Sequence, residues 1–246
     1  YLNTPILHAD RILMNAADSA LRLFHVTRAL SYTPMDDCKG QWETSSAESA
    51  ITFSAVGFQF ARKLQAILGV PVGIIESSWG GTPIEAWMDS ASLSSVGRSL
   101  PSATKTGSAK PNPHDPASLY NAMVNPVAGY GIRGFLWYQG EANRVHPSGY
   151  ARLMEAMVRG WRQAWRQDSL PFYFVQIAPY AYGKDADSVP YLREQQALAA
   201  RLIPHSGMVV TTDVGSEFTI HPPDKTTVAR RLLYWALGDT YGRKGI

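Results

Sequence analysis

The sequence is poor in cysteine and in charge. Cys38 is the only cysteine of the 246 residues, so no intrachain disulfide can form, and cysteine usage leaves the compartment undecided. It lies in a polar, turn-like stretch, Asp36-Asp37-Cys38-Lys39-Gly40, a poor setting for a nucleophile. Charged residues make up 17% of the chain, against about 25% in ordinary globular domains. A net charge of +3 without a dense basic cluster excludes the electrostatic footprint of nucleic-acid binding. The densest basic stretch, Arg152, Arg159, Arg162 and Arg166, is expected to form the solvated face of an amphipathic helix. No apolar run approaches the ~18–20 residues of a membrane span. No signal peptide is visible, no internal repeat occurs, and the first residue is Tyr1 rather than methionine. What is present is a globular composition. Hydrophobic residues at 45%, with 20 glycines and 16 prolines, exclude disorder, a collagenous fibre and a coiled coil.

Hydrophobic periodicity then sorts the chain into alternating elements. Residues 21–26 read as a strand; Phe53, Val56, Phe60, Leu64 and Ile67 form the stripe of a helix of about four turns. Residues 70–76 form a short apolar strand running into a glycine-rich turn, with a helical start at Pro83. Residues 90–117, rich in Ser, Pro, Lys and Gly, are expected to be a long surface loop. A short helix over 119–127 and a buried strand over 132–138 follow. Tyr150, Met154, Met157, Trp161 and Trp165 mark another amphipathic helix. A strand over 172–177, a helix over 192–203, a strand over 208–212 and a last helix over 224–241 complete the pattern. Strands apolar on both faces, alternating with helices, predict a three-layer α/β/α domain with a mainly parallel sheet. In such folds the ligand site lies beyond the carboxyl ends of the strands.

Three strand ends carry polar chemistry. After the second strand comes Ser78-Trp79-Gly80-Gly81-Thr82, where tandem glycines let backbone amides approach an anion or oxyanion, or simply make a tight turn. No Gly-Lys-Ser/Thr follows, so it is not a phosphate loop. Glu76 and Ile75 stand where a nucleophile elbow wants glycine before Ser78 or Ser77. After the third strand comes Gln139-Gly140-Glu141-Ala142-Asn143, whose amides can donate to an oxyanion or cap the next element. After the fifth strand come Asp213, Glu217 and His221; of the six histidines, His221 has the best setting for a general base. No metal-type spacing of His, Cys, Asp or Glu appears, so no catalytic metal is expected. Two ends with oxyanion donors and one with a base point to acyl transfer; a nucleophile is the part without a candidate.

These motifs resemble a known family. Phe53-Ser54-Ala55-Val56-Gly57, the run from Ser77 to Trp87 (SSWGGTPIEAW), Leu119-Tyr120-Asn121-Ala122-Met123, the run from Trp137 to Asn143 (WYQGEAN) and Ile220-His221-Pro222 are similar, in order, to the sialate O-acetylesterases, SGNH-type carbohydrate esterases. The resemblance implies an SGNH-hydrolase, flavodoxin-like α/β/α fold over residues 1–246 and removal of acetyl groups from an acetylated carbohydrate. It implies no metal or organic cofactor, no nucleic-acid or membrane partner, and a periplasmic or secreted location. It makes His221 the catalytic base and Gly80, Gly81 and Gln139 oxyanion donors; Trp79, Glu141 and Asn143, on the same strand-end turns, are candidate substrate-side residues. SGNH esterases place an aspartate three residues before this histidine; here Phe218 stands there, which leaves Asp213, Glu217 or a backbone carbonyl to orient His221. The family's nucleophile lies in a Gly-Gln-Ser-Asn motif after the first core strand, and no such motif occurs in this chain. The expectation is that Tyr1 follows closely on that block and that the domain is truncated at both ends. An acetylxylan esterase of the same fold, with Trp79, Trp87, Trp137 or Tyr138 stacking on sugar, and a catalytically inert sugar-binding domain are the alternatives.

Overall fold

The computed structural model describes residues 5–100, 110–183 and 187–245. Six strands and seven α-helices alternate through these segments: α1 (Ala9–Met14), β1 (Asp18–His25), β2 (Trp42–Ser45), α2 (Ala47–Ile51), α3 (Ala55–Leu68), β3 (Val72–Glu76), α4 (Ser90–Ser95), β4 (Phe135–Tyr138), α5 (Tyr150–Trp165), β5 (Phe172–Val175), α6 (Ser188–Leu202), β6 (Ser206–Val209) and α7 (Lys225–Trp235).

Local chemistry sets the helix ends. Ser54 caps α3 by accepting from Gly57 N at 3.1 Å, and Gly69, at φ 68°, closes it in the left-handed conformation glycine tolerates. Asp224 caps α7 by accepting from Thr227 N at 2.9 Å. Residues 119–127, expected as one helix, form a π-helical turn at Tyr120–Val124 and a 3-10 turn at Asn125–Val127. Pro126 has no N–H to continue the ladder there.

β1 runs parallel to β3, with Leu21 opposite Val72 and His25 opposite Glu76, and antiparallel to β2. β5 runs parallel to both β4 and β6. The result is two three-stranded sheets, β2-β1-β3 and β4-β5-β6. Alternate side chains of both sheets enter two common cores. Phe24, Ile75, Phe135, Trp137, Phe172 and Phe174 face one, which is covered by α5 and α6. Leu21, Leu23, Ile74, Leu136, Tyr173 and Val175 face the other, beneath α3 and α7. The two sheets therefore share one middle layer of an α/β/α fold.

One strand was not anticipated and three expectations need correction. β2 is an antiparallel edge strand of four residues, three of them exposed, too short and too wet to show an apolar run. The stretch expected as a loop from residue 90 begins with α4, capped by Asp89; residues 101–109 lie outside the described segments. The last helix leaves α geometry at Ala236 and ends in a π turn at Thr240. Arg162 is not solvated: it is 6% exposed and donates to the carbonyls of Leu170 at 2.9 Å and Pro204 at 2.7 Å. It ties α5 to the entries of β5 and β6.

Candidate active site

The parallel strands end on one rim. At the end of β3, Glu76 is buried, and its carboxylate gathers three groups. It accepts from Ser54 N at 2.7 Å and from Ser78 Oγ at 2.7 Å, and His25 Nδ1, at the end of β1, lies 3.3 Å away. This anchors the turn that follows. Thr82 Oγ1 donates back to Trp79 O at 2.7 Å and accepts from Trp87 Nε1 at 2.9 Å. Gly81 sits at φ 78°, a conformation that favours glycine. The amides of Gly80 and Gly81 make no hydrogen bond to another described residue, and both residues are exposed. The turn thus presents free donors on a fixed backbone. Trp79 is half-buried, with the Arg28 guanidinium 5.5 Å from its ring.

The block after β4 braces this turn. Gln139 Nε2 donates to Thr82 O at 2.9 Å and to Asn143 Oδ1 at 2.8 Å, while Gln139 Oε1 accepts from Tyr150 OH at 2.8 Å. Asn143 Oδ1 also accepts from Ile84 N at 2.9 Å, and Asn143 Nδ2 donates to Glu85 Oε2 at 2.9 Å. Both amide hydrogens of Gln139 are engaged, so a donor role toward substrate requires one of these bonds to be exchanged. Asn143 is buried, and its contacts are with the protein. Gly140 is required by space: a Cβ there would meet Ile177 Cγ2 at 2.5 Å.

Glu141 and Lys225, the first residue of α7, are both partly buried and interact electrostatically. Burial pushes the Glu141 carboxyl pKa up, against the pull of the Lys225 and Arg144 cations. Lys225 Nζ sits 5.2 Å from the ring of Tyr138 at the end of β4. Burial lowers the Lys225 ammonium to about 8, with Glu141 pulling it back up. A lysine in the first turn of a helix opposes the helix dipole, which Glu141 and the Tyr138 ring face offset.

His221 lies on the loop between β6 and α7, its amide held by Thr219 Oγ1 at 3.1 Å. Partial desolvation of the ring and the Lys225 ammonium lower its pKa. Its side chain makes no hydrogen bond to another described residue. Asp213 is brought elsewhere: Arg231 grips its carboxylate, Nη1 to Oδ1 at 2.7 Å, and holds its pKa down to about 2. Glu217 is exposed, and Phe218 is 86% exposed. Gln139 and Asn143 thus brace the turn that carries Gly80 and Gly81, Glu141 pairs electrostatically with Lys225, and Asp213 is held by Arg231.

Sequence reasoning missed Glu76, His25 and Lys225. Glu76 reads as the last residue of an apolar strand. The available signal for Lys225 was a lysine four residues after His221, opening a helix. Trp87 and Trp137 are core residues rather than sugar platforms, 4% and 8% exposed. Among the described residues no group of three or more His, Cys, Asp or Glu side chains gathers to hold a metal, and no helix is long and apolar enough to cross a membrane.

A mainly parallel sheet between helical layers, with polar side chains and free amides at its strand ends, defines the architecture of the α/β/α carbohydrate esterases. The family described as carbohydrate esterase, sialic acid-specific acetylesterase, matches residues 10–232, and the chain belongs to it. Sialate O-acetylesterases of Homo sapiens and Rattus norvegicus are 33% and 30% identical to it, each over 98% of the chain. The chain spans about half the length of these relatives, 51% and 54%. The crystal structure of a carbohydrate acetylesterase from Xanthomonas citri superposes with a TM-score of 0.86 at 34% identity, over 98% of this chain and 54% of that one. A protein of Arabidopsis thaliana, 19% identical over 90% of this chain and 80% of its own, shares the fold with a TM-score of 0.57.

Proposed function

We propose that this chain is the scaffold of a serine carbohydrate O-acetylesterase, supplying its oxyanion donors and its base. The free amides of Gly80 and Gly81, on a turn anchored by buried Glu76, carry the reading. A tetrahedral oxyanion needs donors already in place, each contributing on the order of 3–4 kcal/mol to the transition state. Gln139 adds a further donor by exchanging its bond to Thr82 or Asn143. The nucleophile is a serine outside the 246 residues, since no Gly-Gln-Ser-Asn sequence occurs within them.

In the reaction, the serine hydroxyl attacks the acetyl carbonyl while His221 takes its proton. His221 returns that proton to the departing sugar oxygen, leaving an acetyl-enzyme, and then activates the water that releases acetate. The substrate is an acetylated sugar, in keeping with the acetylesterases this chain resembles. Trp79 and Arg28, at the edge of the turn, face the sugar. With Asp213 committed to Arg231, His221 is oriented by Glu217 or a backbone carbonyl, or works with the serine as a dyad. His221→Ala in the full-length polypeptide is expected to abolish acetate release from an aryl acetate with no change in thermal unfolding. Retention of near-full activity refutes the assignment.

A further inference from the structure

Three helices converge on a basic cavity that shares no residue with the strand-end site. It encloses about 310 Å³, and its walls include Arg11 and Ile12 of α1, Gln59, Arg62 and Lys63 of α3 and Thr226 of α7. Helical spacing explains the convergence. Gln59, Arg62 and Lys63, at i, i+3 and i+4, share one face of α3, and Thr226 and Arg230, four residues apart, share one face of α7. The floor is polar but satisfied. Gln59 is 5% exposed; its Oε1 accepts from Thr226 Oγ1 at 2.7 Å and its Nε2 donates to Ala55 O at 3.2 Å. This bond also ties α3 to α7, so the cations stand on fixed elements.

The charge is one-sided. No carboxylate lines the cavity. The side chains of Arg11, Arg62, Lys63 and Arg230 make no hydrogen bond or ion pair with another described residue, whereas Arg152 and Arg231 each grip a carboxylate. Arg62 and Lys63 are half-buried, Arg11 and Arg230 exposed. Burial and the neighbouring Arg230 and Arg62 cations lower the pKa of Lys63, so these charges feel one another. The net charge of the whole chain is only +3, so four unpaired cations around one cavity exceed the entire excess. Like charges this close oppose folding, and an anion among them removes that repulsion.

We propose that this cavity is a binding site for an organic phosphate about the size of a monosaccharide. Guanidinium groups present paired donors that match the oxygens of a phosphate, and Lys63 adds a point charge. A phosphate monoester carries about −1.5 to −2 at neutral pH, which suits several cations better than the single charge of a carboxylate. The volume sets the size of the ligand. It equals about ten waters at ~30 Å³ each and reaches the lower end of small-ligand pockets, roughly 300–1,000 Å³. A bare ion fills only a small part of it, and Ile12 gives the rest of the ligand an apolar wall. Nothing in the esterase reading is needed for this inference.

Isothermal titration of the full-length polypeptide at low ionic strength tests it, with glucose 6-phosphate, inorganic phosphate, glucuronate and glucose as probes. Glucose 6-phosphate is expected to bind saturably and glucose not at all. Inorganic phosphate, which lacks the sugar body, and glucuronate, which carries one charge, should each bind about fivefold more weakly or worse. Arg62→Ala combined with Lys63→Ala should weaken glucose 6-phosphate by about tenfold or more, while the Tm without ligand stays the same or rises as repulsion is relieved. Arg11→Ala, an exposed change on a different helix, should also weaken it and serves as the test if the double variant does not fold. Four results overturn the proposal: no saturable binding of glucose 6-phosphate, equal affinity for inorganic phosphate or glucuronate, binding of glucose, or unchanged affinity in the folded variants. Acetate release is not read in any arm, so this site and the role of His221 stand or fall separately.

Discussion

The turn after β3 and the loop that carries His221 contribute to the same rim by opposite means. The turn is over-determined: Glu76 holds its entry, Thr82 closes it, and Gln139 and Asn143 lock it to β4 and α5. The His221 loop leaves His221 exposed, is held to other segments by Leu7 N on Pro223 O at 3.0 Å and by Ser216 N on Pro179 O at 3.1 Å, and leaves the imidazole without a hydrogen-bond partner among the described residues. Oxyanion donors act through geometry fixed before the reaction and gain from rigidity. A general base must rotate between a hydroxyl, a leaving group and a water. In the proposed reaction, the braced turn meets the developing charge and the less constrained His221 loop moves the proton.

Three substitutions sharpen or break this contrast. The largest effect is expected for Asn143→Ala, which strands the buried amide of Ile84 and removes the side-chain bonds to Gln139 and Glu85. A loss of about 2–4 kcal/mol follows from one unsatisfied buried donor and the lost bonds. For a chain of this size that corresponds to a fall in Tm of roughly 5–15 °C. A calorimetric scan unchanged from the parent shows that the turn does not depend on this brace.

Lys225→Met acts beside the His221 loop. The Lys225 ammonium disfavours a second positive charge on His221 and lowers its pKa. Removing it raises that pKa, so His221 becomes protonated at higher pH. The acidic limb of kcat/KM of the full-length enzyme is expected to move to higher pH, with the plateau largely kept. A limb that stays in place, or moves to lower pH, separates Lys225 from His221. The smallest effect is expected for Asp213→Ala: its bond with Arg231 is exposed to solvent, where ion pairs contribute little. Both thermal unfolding and kcat/KM should match the parent, and a large loss of kcat/KM would return Asp213 to the catalytic group.

The regular elements were legible because they repeat. The stripes of α3 and α5 announce a buried face at helical spacing, and the apolar run of β5 announces a strand covered on both sides. β2 was not legible, since an exposed four-residue edge strand has no burial to record in its sequence. Arg162 misled because helical spacing says which residues share a face, but not that three carbonyls wait within reach of a guanidinium on that face. Gly80, Gly81, Gln139 and His221 stood out by following strand ends. The engagement of both Gln139 amide hydrogens depends on Thr82 and Asn143, the first of them 57 positions away.

By itself the sequence determined the alternation of helices and strands, the parallel sheet it requires, and the family to which its motifs belong. Periodicity and motif spacing are local, and the chain carries them whether or not it is folded. Only the tertiary structure decided which carboxylate anchors the turn, that Asp213 belongs to Arg231, and that the sheet is divided between β3 and β4. Those outcomes depend on distances between segments far apart in sequence, set by the packing of two cores on one layer of strands.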